Sequence, residues 1–276
     1  MPTRADLQER RAYELRLTPE RALETLDEAE EFLRDRGLLT RTEQSALPSL
    51  YEACHEDPYM PASAGFGQWP ATKWPWFGEL ADRDGVYALK IHRGKHILVT
   101  EEIAALLDPI LRSELERMRA GSDDWALLLD HLETVGPSET EDLEEELGLS
   151  RKALRGIRSP LERCGAVVSR SLAVSATAEG PHPHTTELAR WDQIYPEASE
   201  TGGLEDLTVA AVRAAVVAPE REVSRWFSWS WLYPKTLVDD LVADERLWRP
   251  DPGWVSAADT ASSQARAAPA RSRSSA

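Results

Sequence analysis

The sequence has little of several features that mark common protein classes. It contains only two cysteines in 276 residues, Cys54 and Cys164, and their separation matches no metal-binding or redox spacing. No stretch approaches the roughly 20 apolar residues that a membrane-spanning helix needs. The segment from Met1 to Arg16 is charged throughout and lacks the apolar region of a signal peptide. We therefore expect a protein of the reducing cytoplasm, without disulfides and without a membrane partner.

The short motifs of familiar catalytic and cofactor sites are missing as well. The chain has no G-x-S-x-G, no H-E-x-x-H, no phosphate loop and no paired cysteine and histidine. His92 and His96 could lie opposite each other across a turn, but the sequence offers no third ligand for a zinc ion. The sequence thus predicts no cofactor, no metal site and no catalytic residue.

An excess of basic residues is also absent. The chain has 48 acidic and 32 basic side chains, which gives a net charge of −16. A protein with this charge repels a polyanion as a whole, so nucleic acid can bind only where basic side chains are concentrated locally.

Tryptophan, in contrast, is abundant. Half of the ten tryptophans fall in the last fifth of the chain: Trp226, Trp229, Trp231, Trp248 and Trp254. Trp226, Trp229, Trp231 and the neighbouring Phe227 could stack on exposed bases. Helical spacing in this segment favours a role in the core instead.

Capping and turn signals predict a mainly α fold with small β-wings (α+β), built from tandem winged-helix units. The clearest signals lie between Ser122 and Leu172. Ser138 with Glu141 predicts a capping box, Ser150 predicts the start of the next helix, and Gly165 predicts its end. A strand follows at residues 166–170. Helix, short helix, helix and strand, in this order, are typical of a winged helix.

The same kinds of signal divide the rest of the chain. The first predicted part is an N-terminal helical region at residues 17–120, with a helix from Thr18 and a β-hairpin at 86–100. A central winged-helix unit follows at 122–200, with a loop or wing tip at 177–183, and a second winged-helix unit at 204–255 has strands at 248–249 and 254–255. The last part, at 256–276, is predicted to be a disordered tail.

Two basic clusters are candidate nucleic-acid contacts. The predicted third helix of the central unit places arginines at positions i, i+4 and i+7, on a face separate from its apolar stripe. In a helix-turn-helix this helix enters the major groove. The second cluster lies at the tip of the hairpin. The predicted nucleic-acid-binding residues are Arg151, Lys152, Arg155, Arg158, Arg93 and Lys95.

Two observations favour other interpretations of these clusters. Six carboxylates occur within residues 139–146, in the helix that would lie near the phosphate backbone. Six negative charges at this position would repel DNA, and they favour the alternative that the unit docks on a protein partner. Pro160 also predicts a kink or a restart within the third helix.

The order of several segments resembles a known family. The segments are RLTPERALETLDEAEEF, LPSLYEA, WFGELADRDGVYALKIHRGKHILVT, DHLETVGPSETEDLEEELGLSRKALRGIRSPLERCGAVVSR, APEREVSRWFSW and LVDDLVADERLWRPDPGWV. Together they resemble the winged-helix proteins around the interstrand-crosslink-repair DNA glycosylases, the AlkZ/YcaQ family, and in particular its AlkZ-related branch. The resemblance covers about residues 17–255, and no single motif in it is diagnostic.

This resemblance implies tandem winged helices that surround a DNA channel. The glycosylases of the family carry a catalytic glutamine, an apolar residue, and then glutamine or aspartate. The three available segments here, which begin at Gln44, Gln68 and Gln193, do not match that pattern. We therefore expect a non-catalytic winged-helix protein that binds double-stranded DNA weakly. Two alternatives stay open: an active base-excision glycosylase with a non-standard catalytic residue, and a module that docks on protein through its acidic faces.

Overall fold

The computed structural model describes residues 1–173 and 184–258. The predicted fold class is confirmed, because the chain is mainly helical with small antiparallel three-stranded sheets. None of the helices in these two ranges is both long and apolar enough to cross a membrane. The loop predicted at 177–183 lies outside the described residues.

One order of elements, helix, strand, helix, helix, strand and strand, occurs three times along the chain. In each case the first strand pairs with the third and the third with the second, all antiparallel. The first set comprises α2 (Leu26–Arg36), β1 (Leu38–Thr40), α3 (Leu50–Ala53), α4 (Trp76–Ala81), β2 (Val86–His92) and β3 (Lys95–Thr100). The second comprises α6 (Asp123–Val135), β4 (Ser138–Glu139), α7 (Thr140–Glu146), α8 (Arg151–Cys164), β5 (Val167–Ala173) and β6 (His184–Arg190). The third comprises α10 (Leu204–Ala215), β7 (Ala218–Pro219), α11 (Glu220–Val223), α12 (Leu237–Ala243), β8 (Leu247–Asp251) and β9 (Trp254–Ala257).

The N-terminal part is more regular than the sequence indicated. The predicted hairpin is present, but β1 adds to it as a third strand. The helix predicted from Thr18 is wrong, because only a single 3-10 turn forms at Pro19–Arg21. The helix begins at Leu26 instead, where the hydroxyl of Thr25 accepts a hydrogen bond from the amide of Glu28. Gly37 ends it in the left-handed conformation.

The helices predicted between residues 122 and 172 are present, although two local predictions are wrong. Ser138 does not cap α7, because it lies in β4 and its hydroxyl donates to the carbonyl of Gly136. Pro160 does not interrupt α8, which is continuous. The predicted cap at Ser150 and the predicted stop at Gly165 are both confirmed, since Ser150 accepts from the amide of Ala153 and Gly165 has a φ of 83°.

In the third set, Trp226, Phe227 and Trp229 are buried as predicted, whereas Trp231 is 57% exposed. The predicted boundary of the tail is wrong. Ser256 is fully buried within β9, and its hydroxyl donates to the carbonyl of Val216 at 2.7 Å. Residues 259–276 lie outside the described ranges.

Two further helices and one short helix join the three sets. The helix α1 (Arg4–Glu14) buries Leu7 against Val216 and Val217 of the third set. The long helix α5 (Glu101–Gly121) follows β3 directly and packs on α6 and α10. The short α9 (Trp191–Ile194) follows β6. One hydrophobic cluster runs from Leu38 to Ala257 and connects all three sets, so that surfaces from different sets meet at fixed positions.

Candidate nucleic-acid interface

The helix α8 packs against the rest of the protein through one apolar stripe, and most of its other residues are exposed to solvent. Leu154, Ile157 and Leu161 are buried, in agreement with the predicted core face. Arg151, Lys152 and Arg155 are exposed, and Arg158 is half-buried. The only carboxylate of the helix is that of Glu162, which is buried and forms an ion pair with Lys90 on β2 at 3.0 Å.

The cations of α8 differ from most arginines of this protein. More than half of the other arginines that the structure describes form ion pairs with carboxylates, for example Arg34 with Glu30 at 2.7 Å and Arg249 with Glu220 at 2.7 Å. In the part of the chain that the structure describes, no hydrogen bond or ion pair within 4 Å neutralises the four predicted cations of α8 or Arg163. A concentrated and unpaired positive charge therefore lies on this helix despite the net charge of −16.

Two clefts open beside α8, and both are lined by Lys152, Arg155 and Ser159. The first lies against α7 and has mixed charge, because Glu141 and Glu144 line it together with Arg151 and Arg158. The carboxylate of Glu141 also accepts a hydrogen bond from the hydroxyl of Thr185 at 2.7 Å, which holds it in place. The carboxylates of Glu141 and Glu144 thus offset part of the positive charge of Arg151 and Arg158, as expected from the six carboxylates at residues 139–146.

The second cleft, which we call the basic cleft, has a volume of about 680 Å³ and no carboxylate among its described lining residues. It is lined by Arg117, Met118, Trp125, Lys152, Arg155, Gly156, Ser159, Pro160, Arg163, Cys164, Ser228 and Trp231. Lys152 and Arg155 line both clefts, whereas Arg163 lines only this one. The guanidinium of Arg117 lies 5.0 Å from the ring centre of the exposed Trp231. The basic cleft therefore combines cations with an exposed aromatic face.

The structure brings the two predicted basic clusters together. The turn of the hairpin lies against the C-terminal half of α8, and a Cβ placed on Gly94 would be 3.0 Å from Nε of Arg163. Gly94 has a φ of 75°, so both its conformation and its surroundings favour glycine.

Arg93 and Lys95 have different environments. The side chain of Arg93 donates to the carbonyls of Arg225 and Gln44, both at 2.9 Å, and so ties the hairpin to the third set. Lys95 is exposed and lines a separate pocket. Arg93 also lines a groove with Arg221 and Arg225, and this groove meets the basic cleft at Ser228. The basic surface therefore extends beyond α8.

The three sets are not equivalent in charge. The helix before the last two strands is α4, α8 or α12. Neither α4 nor α12 contains lysine or arginine, and α12 carries Asp239 and Asp240. Only α8 is basic, which singles it out among three helices with the same place in the order of elements.

His92 and His96 are neutral at pH 7. His92 is 1% exposed, and neither ring nitrogen makes a regular hydrogen bond. Burial, and then the nearby charge of Arg93, lower the pKa of His92 to about 4. Burial, and then the charge of Arg41, lower the pKa of His96 to about 3. No group of three or more potential metal ligands occurs among the described residues.

The lowered pKa values of these two histidines predict that the stability of the protein depends on pH. Between pH 6.5 and about 4 the unfolded chain binds protons at these positions and the folded chain does not, so the free energy of unfolding falls as the pH falls through this window. We expect His92→Phe to remove roughly 2 kcal/mol of the difference between pH 7 and pH 4.5. Urea unfolding at both pH values measures this difference, and an equal pH dependence in the variant and the unchanged protein would contradict it.

Sequence reasoning missed part of this surface. Arg163 lies on α8 but was not among the predicted binding residues, because its contribution depends on which side of the helix is free of acids. Arg117, Arg221, Arg225 and Trp231 come from other elements, and only the packing of α5 and the third set beside α8 brings them there.

The chain matches no family model, no curated protein and no solved structure. Its function is therefore inferred from the geometry and the charge of the site.

Proposed function

We propose that the chain is a double-stranded DNA-binding protein built from three units of the winged-helix type, with α8 and the basic cleft as its main contact surface. The observation that carries the proposal is the unpaired positive charge of α8. Lys152, Arg155 and Arg163 line a cleft without a carboxylate among its described residues, in a protein where arginines are mostly neutralised by their neighbours.

The order of elements supports the same proposal. In a winged helix the helix before the hairpin enters the major groove, and its side chains contact bases and phosphates. The helix α8 has this place in the second set and is the basic one of the three. Phosphate contacts at this helix release counterions, which provides most of the affinity of a weak, non-specific complex. The resemblance of the sequence to the AlkZ-related branch agrees with this proposal.

The test is a titration of a fluorescein-labelled duplex of about 20 base pairs, followed by fluorescence anisotropy, at 50–200 mM salt. With about three to five phosphate contacts, we expect the affinity to fall about 100-fold over this range, because each contact contributes about 0.9 to the salt slope. No binding at 50 mM salt would contradict the proposal and would favour the alternative, docking on a protein through the acidic faces.

Base excision is a second candidate, because two glutamines line clefts next to the hairpin. Gln44 lines the groove beside Arg93, and Gln68 is exposed in the adjoining pocket. The family pattern is missing at both positions, and we expect no base release from duplexes that contain alkylated or crosslinked bases. Release by the purified protein, lost in Gln44→Ala or Gln68→Ala, would favour this candidate over a purely binding role.

A further inference from the structure

A pocket of about 430 Å³ lies outside the basic cleft, in the first set. Three segments form it: the last residue of β1 with the chain after it, at residues 40–44, the 3-10 helix Gly65–Gln68 with Trp69, and the turn of the hairpin at residues 92–96. This volume lies within the ordinary range for small-molecule sites, about 300–1,000 Å³.

One wall of the pocket carries a guanidinium without a carboxylate partner. The guanidinium of Arg41 lies between two aromatic rings, 4.8 Å from the ring centre of Trp69 and 4.2 Å from that of Phe77. Its Nε is buried, and its side chain forms no hydrogen bond or ion pair with any described residue. A half-buried cation without an ion-pair partner has lost hydration free energy that no other interaction replaces. An anion bound beside it is therefore attracted more strongly than it would be in water.

The same wall carries a second cation. His92 and His96 also line the pocket, but both ring nitrogens of His92 are buried. The exposed Lys95 stands at the opening. Glu43 is the only acidic residue among the described lining residues, and it is exposed at the rim.

Another part of the pocket lining is aromatic. Phe66 is 44% exposed, and its ring centre lies 4.7 Å from that of Trp69. An exposed ring that is fixed by aromatic neighbours offers a flat apolar face on which a planar ring can stack.

We propose that this pocket binds an organic phosphate with a planar ring, of about the size of a mononucleotide. The phosphate lies beside Arg41 and Lys95, and the ring stacks on Phe66. No duplex is needed for this binding, so the proposal does not depend on the DNA-binding function.

The test is a calorimetric titration of the whole chain with AMP, adenosine and inorganic phosphate at pH 7. AMP combines the charge with the ring, adenosine provides the ring alone, and inorganic phosphate provides the charge alone. We expect AMP to bind at least ten-fold more tightly than either of the other two. Binding of adenosine and AMP with equal affinity would overturn the assignment of the phosphate to Arg41 and Lys95, and no binding of AMP would overturn the site.

Four variants with substitutions at exposed positions locate the ligand without disturbing the core. Lys95→Ala should weaken AMP and phosphate alike, by roughly ten-fold, because a charge-assisted contact is lost. Phe66→Ala should weaken AMP about five-fold and leave phosphate unchanged, because only stacking is lost. Glu43→Gln should strengthen AMP, because a like charge at the rim is removed. Lys235→Ala, at an exposed lysine outside this pocket, is the matched control and should have no effect.

The variants distinguish binding of AMP in this pocket from binding elsewhere on the protein. Unchanged AMP affinity in both Lys95→Ala and Phe66→Ala would place the ligand elsewhere and overturn the proposal. AMP binding that survives in a variant defective in duplex binding would support a pocket separate from the DNA surface. If AMP instead competes with the duplex for the basic cleft, its affinity will fall in the α8 variants rather than in Lys95→Ala, which would also overturn the proposal.

Discussion

Replacing Lys152, Arg155 and Arg163 together by alanine is expected to weaken duplex binding by at least about 100-fold at 0.1 M salt. These three side chains line the basic cleft, whose described lining residues include no carboxylate. Each lost phosphate contact should lower the slope of log affinity against log salt by about 0.9, so the slope should fall by about 3. The same anisotropy titration measures both values. The fold should persist, because Leu154, Ile157 and Leu161 keep the apolar stripe of α8.

A second variant on the same helix tests which side is used. Arg151→Ala with Arg158→Ala removes cations from the cleft shared with Glu141 and Glu144, and we expect a loss of about ten-fold or less. The triple variant at Arg151, Arg155 and Arg158, the face that the sequence alone predicts, should lie between the two. Unchanged affinity in all three variants would show that α8 is not the contact surface.

The control for net charge uses cations that are already paired. Arg4, Arg34 and Arg246 form ion pairs with Asp251, Glu30 and Asp206. Their joint replacement by alanine changes the net charge by the same amount, but removes cations far from α8 in the sequence, so duplex affinity should change little. A loss equal to that of the basic-cleft variant would mean that overall charge, and not a local surface, governs binding.

Asp108→Ala is expected to be strongly destabilising, lowering the free energy of unfolding by about 3 kcal/mol or more. Asp108 is fully buried in α5 and accepts hydrogen bonds from Arg112, from Nε1 of Trp191 at 2.7 Å and from the amide of Ser199 at 2.8 Å. Its removal leaves the buried indole N–H of Trp191 without an acceptor, and Arg112 keeps only its hydrogen bonds to the carbonyls of Tyr195 and Pro196. The ring of Trp191 stacks on Tyr195, with 5.3 Å between the ring centres, and the hydrogen bond to Asp108 that fixes its position is also lost.

Thermal unfolding followed by circular dichroism measures this effect. A chain of this size should lose about 10 °C of melting temperature. Asp108→Asn keeps one acceptor oxygen and should lose less, and Asp84→Ala, at an exposed aspartate, should lose little. A melting temperature for Asp108→Ala within about 2 °C of the unchanged protein would contradict the role of this carboxylate.

Several local features could be predicted from the sequence because they depend on neighbours in the chain. The cap at Ser150, the stop at Gly165 and the hairpin at 86–100 are confirmed. The errors have different causes. Thr18 precedes Pro19 but starts only a 3-10 turn, since the chain turns again before the helix at Leu26. Ser138 has the residue type of a cap, but it pairs with Leu188 as part of a strand.

The sequence by itself determined the mainly helical class, the apolar stripe of α8 and the concentration of arginine on that helix, because helical period, capping and charge are local properties. Only the tertiary structure decided which of those arginines face acids and which do not. It also placed Arg117 and Trp231 beside α8, set the turn of the hairpin against Arg163, and left Arg41 between two rings without a carboxylate. These outcomes depend on contacts between elements far apart in the chain, and helical spacing and charge pattern do not encode such contacts.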